Sequence, residues 1–152
     1  MKIRHATLQD YDRIMEMMIN FANSSPFESL QQPDFNDMYI RKLLDSFLKN
    51  GVILLGERED KIQGMLIAQI IPDVWLPHIT SLREIAWWVE PEARMSSMGY
   101  RLLKEYVKVG EKLQEKDIIK GFTLTNMEIS PDFNLEKRGW APIETNYIYE
   151  GV

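Results

Sequence analysis

A strand, a short loop and a long helix follow one another within residues 81–113, and this unit constrains the fold more than any other stretch. It reads SLREIAWWVEPEARMSSMGYRLLKEYVKVGEKL, with the loop around Pro91 and the helix carrying apolar residues at helical spacing. Arg94, Ser97 and Gly99 stand where the loop becomes the helix. Because the first N–H groups of a helix have no partner within it and the helix dipole is positive there, the unit predicts an anion site that suits a phosphate.

Composition narrows the class of protein. The 152 residues are 45% hydrophobic and 27% charged, which predicts one soluble globular domain, residues 1–152. The net charge of -5 argues against a nucleic-acid partner bound through a general basic surface, because that binding needs clustered Lys and Arg. The sequence has no cysteine, so disulfides, a thiolate nucleophile and cysteine metal ligands are excluded.

Neither export nor a membrane is indicated. The N-terminus, MKIRHATLQD, has charges where a signal peptide would need an apolar run, and no eighteen apolar residues stand together. We therefore expect a cytoplasmic protein without a membrane span.

Periodicity predicts the element order β α α β β β α β α β, an α/β protein. The predicted strands are Lys2–Ala6, Val52–Gly56, Ile62–Ile71, a strand from Ser81 to Val89, Ile118–Thr125 and Thr145–Tyr149. The predicted helices are one from Leu8 with Thr7 as its cap, Asp34–Lys49, one that ends near Leu113, and Pro131–Arg138 with Ser130 as its cap and Gly139 after its end. The charged run Glu57–Lys61 suits the tip of a hairpin.

Two irregular segments are candidates for substrate contacts. Asn23–Pro33 is rich in turn-forming residues and is either a lid or a surface connection held by Phe27. Pro72–Thr80 carries Trp75 and His78. We expect the walls of an acceptor pocket in these two segments.

Two motifs, together with this order, resemble the GCN5-related N-acetyltransferases, mainly small stand-alone bacterial or phage members. In that family the fourth strand ends in V-x-P, and a loop Q/R-x-x-G-x-G/A binds the coenzyme pyrophosphate. Here Val89-Glu90-Pro91 is followed by Arg94-Met95-Ser96-Ser97-Met98-Gly99, so a serine replaces the first glycine. The resemblance covers the whole chain and implies a mixed, mostly antiparallel sheet of six to seven strands flanked by about four helices.

The resemblance also implies how acetyl-coenzyme A would bind as a cosubstrate, without a metal. Convergent backbone N–H groups, small side chains and a guanidinium suit a pyrophosphate, and the fourth strand would offer main-chain groups to the pantetheine amides and the thioester carbonyl. The implied coenzyme-binding residues are Trp88, Val89, Arg94, Met95, Ser96, Ser97, Met98, Gly99, Tyr100 and Asn126.

The position at which the family commonly carries its general acid does not match in this sequence. The family commonly places a tyrosine four residues before the glycine that stands here at Gly139, and that position falls on Leu135, which cannot donate a proton. A thiol has a reference pKa near 8.5, so coenzyme A is a tolerable leaving group without an acid. Tyr147, or Tyr149, in the predicted last strand could supply the proton, or both could be cross-strand packing residues.

The candidate general base is Glu84. Strand alternation places Glu84, Ala86 and Trp88 on one face, and a carboxylate on a buried strand has its pKa raised toward neutrality, which suits deprotonation of an ammonium. Alternatively, Glu84 is a strand-end carboxylate paired with Arg83 or a lysine.

The expected function is therefore direct transfer of an acetyl group from acetyl-coenzyme A to a primary amine on a small molecule or a protein. The alternatives are a module that binds acyl-coenzyme A without turnover and an interaction protein built on the same fold. The family often dimerises, so a homodimer is a further expectation.

Overall fold

A five-stranded sheet organises the structure, a computed structural model that describes residues 1–27, 34–127 and 130–150. The strands lie across the sheet in chain order; the first four are antiparallel, and the fifth runs parallel to the fourth. They are β1 (Lys2–His5), β2 (Gly51–Arg58), β3 (Lys61–Pro72), β4 (Thr80–Val89) and β5 (Gly121–Thr123). The predicted mixed, mostly antiparallel α/β architecture is confirmed.

Three helices of the described chain cover the two faces of this sheet: α1 (Tyr11–Asn23), α2 (Asp37–Lys49) and α3 (Met98–Glu115). Helices α1 and α2 pack on one face, where their apolar stripes meet β2, β3 and part of β4 in one buried cluster. Helix α3 packs on the other face in a second cluster. The middle of β3, Met65 to Ala68, is fully buried because both of its faces are covered.

Local chemistry sets several element boundaries. Thr7 and Asp10 form a capping box at a 3-10 turn, Leu8–Asp10, that leads into α1. Helix α2 begins three residues later than predicted, because the Asn36 side chain accepts the N–H of Tyr39 and caps it there. Glu59 and Asp60 both have positive φ, as the two-residue turn of a twisted hairpin requires.

The predicted helix Pro131–Arg138 is wrong, and so are its cap at Ser130 and the count of four helices. Within the described part of the chain this region contains only a 3-10 turn, Glu136–Arg138, that ends at Gly139 with φ +90°. The Asp132 side chain accepts the N–H of Asn134, whose φ is +52°. An Asx turn followed by a left-handed residue cannot continue a helix.

The predicted strand Thr145–Tyr149 is also wrong, and the described residues form five strands rather than six or seven. The neighbour that would pair with it, β5, has three residues instead of the predicted eight. A strand needs a partner of matching length for its backbone hydrogen bonds, so residues 141–150 remain exposed.

In the described part of the chain no helix is long and apolar enough to cross a membrane. Residues 28–33, most of the expected lid, lie outside the described residues.

Candidate active site

Strands β4 and β5 separate, and a cleft lies where they do. Their parallel pairing ends at Arg83 and Thr123. The cleft has a volume of about 490 Å³. Its lining comes from the end of α1, from β4, from the loop before α3 and its first turn, and from the chain beyond β5. The described lining residues are Phe21, Ser24, Glu84, Ile85, Trp87, Trp88, Val89, Arg94, Ser96, Gly99, Tyr100, Thr125, Met127, Ser130, Pro131 and Phe133.

A β-bulge in β4 changes which side chains share a face. Ile67 of β3 pairs with Ala86 and Ala68 pairs with Glu84, so Ile85 is an extra residue. Glu84 therefore lies opposite Ala68 on the α3 face, whereas Ala86 packs on the α1 and α2 face. The predicted shared face of Glu84, Ala86 and Trp88 is wrong, because one inserted residue reverses the alternation.

Glu84 lies at the point of separation and is 5% exposed. Its Oε2 accepts a hydrogen bond from the N–H of Thr125 at 2.9 Å. The carboxylate therefore connects β4 to the segment that follows β5. Burial raises the pKa of Glu84 to about 7, although the Thr125 N–H and the charge of Arg83 act to lower it. A buried carboxyl with a pKa near neutrality, bordering a cleft, can accept a proton from a ligand.

Tyr106 of α3 holds the two strands at this point. Its fully buried hydroxyl donates to the carbonyl oxygen of Thr123 at 2.7 Å and lies 3.3 Å from that of Leu82. Burial and then the negative charge of Glu84 raise the pKa of Tyr106, so it remains a neutral donor. Tyr106 thus connects the helix to both strands behind Glu84.

The loop before α3 leaves backbone N–H groups available. Arg94 and Ser96 donate theirs to turn carbonyls, and Arg101 donates to Ser97 in the first bond of the helix. No described residue accepts the N–H groups of Ser97, Gly99 and Tyr100. The serine that replaces glycine has φ -81°, so Ser97 needs no left-handed backbone and carries no strain on that account.

Other side chains of this loop point away from the cleft. Met95 is 99% exposed, and Met98 is buried against the sheet. A Cβ atom at Gly56 or Gly64 would lie 2.8 or 2.6 Å from the Met98 sulfur, so Met98 is a core residue that needs these glycines beneath it. Neither residue lines the cleft, so within it Met95 and Met98 can contribute only through their backbone.

Arg94 lines the cleft but does not face the loop amides. Its guanidinium lies over the Trp88 ring, 4.5 Å from the centroid, and its Nε donates to the carbonyl oxygen of Val89 at 3.0 Å. The other neighbour of Trp88 is Phe21, with ring centroids 5.9 Å apart. A cation thus already occupies an aromatic face of this cleft.

The opposite wall is formed by a residue that sequence reasoning missed. Phe133 stacks on Trp87 with ring centroids 4.7 Å apart, and a Cβ atom at Gly99 would lie 3.1 Å from its ring. The Arg138 guanidinium lies 4.6 Å from the centroid of the Tyr100 ring. The sequence did not indicate that Phe133 lines the cleft, because the residue fell within a predicted helix that does not form.

Several predicted residues are not brought into the cleft. Asn126 is exposed between two lining residues, and Leu135 and the exposed His78 are not part of the lining. Tyr147 is 93% exposed and Tyr149 is exposed as well, both in the segment that forms no strand. Ser24, in the expected wall segment Asn23–Pro33, does line the cleft. The lining residues Phe21 and Ile85 were not predicted as site residues; only the packing around the bulge and the end of α1 reveals them.

Comparison with solved structures confirms the resemblance at the level of fold. A ribosomal-protein-alanine N-acetyltransferase from Brucella melitensis superposes with a TM-score of 0.67 at 16% identity, over 99% of this chain and 100% of that chain. An aminoglycoside acetyltransferase from an uncultured soil metagenomic sample gives 0.70 at 13% identity, over 99% and 97%. A transcriptional regulator from Bacillus halodurans gives 0.69 at 17% identity, over 99% of both chains. No protein-family model matches the sequence, and no curated protein matches it. At identities this low, the superpositions establish a shared fold alone, and the reaction has to be argued from the residues of the site.

Proposed function

We propose that this chain, which has the fold of the GCN5-related N-acetyltransferases, transfers an acetyl group from acetyl-coenzyme A to a primary amine. One observation carries the proposal: the cleft between β4 and β5 is bordered by a buried carboxyl, Glu84, whose pKa is about 7. An amine that arrives as an ammonium must lose a proton before it can attack, and a base with a pKa near the working pH suits that task.

The coenzyme would bind along the α3 side of the cleft. The available N–H groups of Ser97, Gly99 and Tyr100 lie at the positive end of α3 and suit a pyrophosphate. Arg94 would complete this site by turning from the Trp88 ring toward the phosphates. The backbone of Trp88 and Val89 would contact the pantetheine arm, and Ser96, Met95, Met98 and Asn126 would shape the loop and the exit of the cleft.

The transfer would proceed directly. The ammonium gives one proton to Glu84 or to a water held there, and the amine nitrogen then attacks the thioester carbonyl carbon. The carbon–sulfur bond breaks, coenzyme A leaves as a thiolate, and the second nitrogen proton passes to solvent water. Because a thiol has a reference pKa near 8.5, this departure proceeds without an acid at a cost of about 10² to 10⁴ in rate. Tyr147 would serve as the acid only if residues 141–150 moved to the cleft.

A second candidate, an acyl-coenzyme A-binding module without turnover, is favoured by the position of Tyr147, which lies exposed and outside the cleft lining. Both candidates require the coenzyme to bind.

Thermal unfolding with and without acetyl-coenzyme A tests this shared requirement. A ligand at 100 times its dissociation constant stabilises a fold by about 2.7 kcal/mol, which raises the melting temperature of a domain of this size by several degrees. An unchanged melting temperature with both acetyl-coenzyme A and coenzyme A would refute both candidates.

Release of free thiol with a panel of primary amines then distinguishes the enzyme from the binding module. Glu84→Gln should lower turnover by about 10² to 10⁴ and keep the thermal shift, whereas Glu92→Gln, an exposed carboxylate outside the cleft lining, should change neither. Unchanged turnover in Glu84→Gln would remove Glu84 from the role of base.

A further inference from the structure

The charges that line the cleft restrict the acceptor. Among the described lining residues Glu84 is the one carboxylate and Arg94 the one cationic side chain, and nine of the others are aromatic or aliphatic: Phe21, Ile85, Trp87, Trp88, Val89, Tyr100, Met127, Pro131 and Phe133. A molecule with several ammonium groups would find one carboxylate to pair with. Each further charge taken into such a lining loses its water without a partner, which is costly.

The acceptor wall is the one on the α1 side. Gly99, Tyr100 and Phe133 belong to the wall that adjoins the start of α3, where the proposed coenzyme site lies. On the opposite side the rings of Phe21, at the end of α1, and Trp88 of β4 lie 5.9 Å apart, and Ile85 of β4 also lines the cleft. An acceptor that reaches Glu84 from that side meets an apolar surface.

Two features of this wall suit an apolar body that carries one ammonium group. Ile85, the inserted residue of the bulge, lines the cleft and is 45% exposed, so it presents apolar surface to a ligand. The Trp88 ring is aromatic, and the Arg94 guanidinium that lies 4.5 Å from its centroid would leave this face free for an apolar body on turning toward the phosphates.

From these observations we infer that the acceptor is a monoamine whose ammonium approaches Glu84 and whose alkyl or aromatic body packs on Phe21, Ile85 and Trp88. Polyamines and other polycations are then poor acceptors. This inference rests on the proposed function.

A matched pair of amines tests it. n-Hexylamine and 1,6-diaminohexane have the same chain length and differ by the second ammonium group. At saturating acetyl-coenzyme A, kcat/KM measured by thiol release should be higher for hexylamine by roughly tenfold or more. An equal or higher value for the diamine would overturn the inference.

A charge introduced on the wall should change this preference. Ile85→Asp places a second carboxylate on an exposed position of the bulge, where it disturbs little packing, and should shift the ratio toward the diamine by roughly tenfold. The matched control, Ile19→Asp, makes the same change on α1 at a residue that does not line the cleft and should leave the ratio unchanged. An unchanged ratio in Ile85→Asp would also overturn the inference.

A binding measurement distinguishes failure of this inference from failure of the proposed function. If acetyl-coenzyme A shifts the melting temperature but no amine releases thiol, turnover is refuted, and the dissociation constants of the two amines, measured by calorimetry with coenzyme A present, decide the inference. If the coenzyme does not bind, the proposed function is refuted, and the inference about its acceptor is overturned with it. Tighter binding of hexylamine supports the inference, and tighter or equal binding of the diamine overturns it.

Discussion

Glu84 combines three properties at the scale of a single residue: it is buried, it borders the cleft, and its one described hydrogen bond comes from the N–H of Thr125. Burial dominates, and the pKa rises to about 7. A carboxyl on an exposed strand would keep its ordinary pKa of about 4.3 and would be a weak base at neutral pH. The position of Glu84 therefore decides its chemistry.

The pH dependence of turnover follows from that pKa. With Glu84 as the base, kcat/KM for an amine should increase as pH rises through about 7, because the ionised form accepts the proton. In Glu84→Gln the inflection near pH 7 should be absent, and the residual activity should follow only the fraction of unprotonated amine. A wild-type profile that is flat between pH 6 and 8 would contradict the role of Glu84.

The same pKa predicts a change in stability. Because the folded-state pKa of Glu84 is raised from 4.5 to about 7, the folded state binds more protons than the unfolded state between these values, and stability falls as pH rises through this range. The loss by pH 7 should be on the order of 3 kcal/mol. The free energy of unfolding of Glu84→Gln, measured in urea, should lack this loss, so the variant should become more stable relative to wild type from pH 5 to 7. Parallel curves of unfolding free energy against pH would contradict the raised pKa.

At the scale of the elements, helix α3 approaches β5 closely next to the point where β4 and β5 separate. Gly110 of α3 faces the ring of Phe122 so closely that a Cβ atom would lie 2.5 Å from it. Phe122 in turn meets Tyr106 and Trp140 edge to face. This aromatic contact lets the Tyr106 hydroxyl reach the carbonyl oxygen of Thr123.

Gly110→Ala should therefore be destabilising, although alanine is the better helix former. Displacement of Phe122 by the added methyl should cost about 1 to 3 kcal/mol in the free energy of unfolding, measured in urea. Gly121→Ala is the control, because a Cβ atom there meets nothing within 4 Å. Equal stability of the two variants would show that α3 does not depend on this approach.

At the scale of the whole molecule, an ion cluster ties the N-terminal strand to the rest. Arg4 of β1 makes a two-pronged contact with Asp10 at 2.8 Å and binds Glu57 of β2 at 2.7 Å. The Arg4 guanidinium lowers the pKa of Asp10 to about 2, with further help from the N–H of Thr7. The cluster joins the first strand, the first turn and the second strand.

Acid should weaken the fold through this cluster. The pKa of Asp10 is lowered from 3.8 to about 2, so its contribution is present above pH 4 and is lost as pH falls toward 2. Asp10→Asn should be less stable than wild type at pH 7, and the difference should shrink between pH 4 and 2 when thermal unfolding is followed. A difference that does not depend on pH would show that the ion pair is not its cause.

Most of the fold could be predicted from local patterns, and part of the site could not. The apolar repeats of α1 and α2, the hairpin at Glu59-Asp60 and the buried strand β3 follow from periodicity and turn chemistry, which act over a few residues. The region of residues 130–150 was mispredicted, because the Asx turn at Asp132 and the short β5 override the propensities of the flanking residues.

By itself, the sequence determined the strand-loop-helix unit at residues 81–113, the candidacy of Glu84 and the resemblance to an acetyltransferase fold, because these depend on residue type and spacing along the chain. Only the tertiary structure decided the bulge at Ile85, the resting position of Arg94 on Trp88 and the wall formed by Phe133. Each of these depends on what packs opposite it from a distant part of the chain, and no local spacing encodes such a partner. The cleft, and with it the pKa of Glu84, arises from those distant contacts.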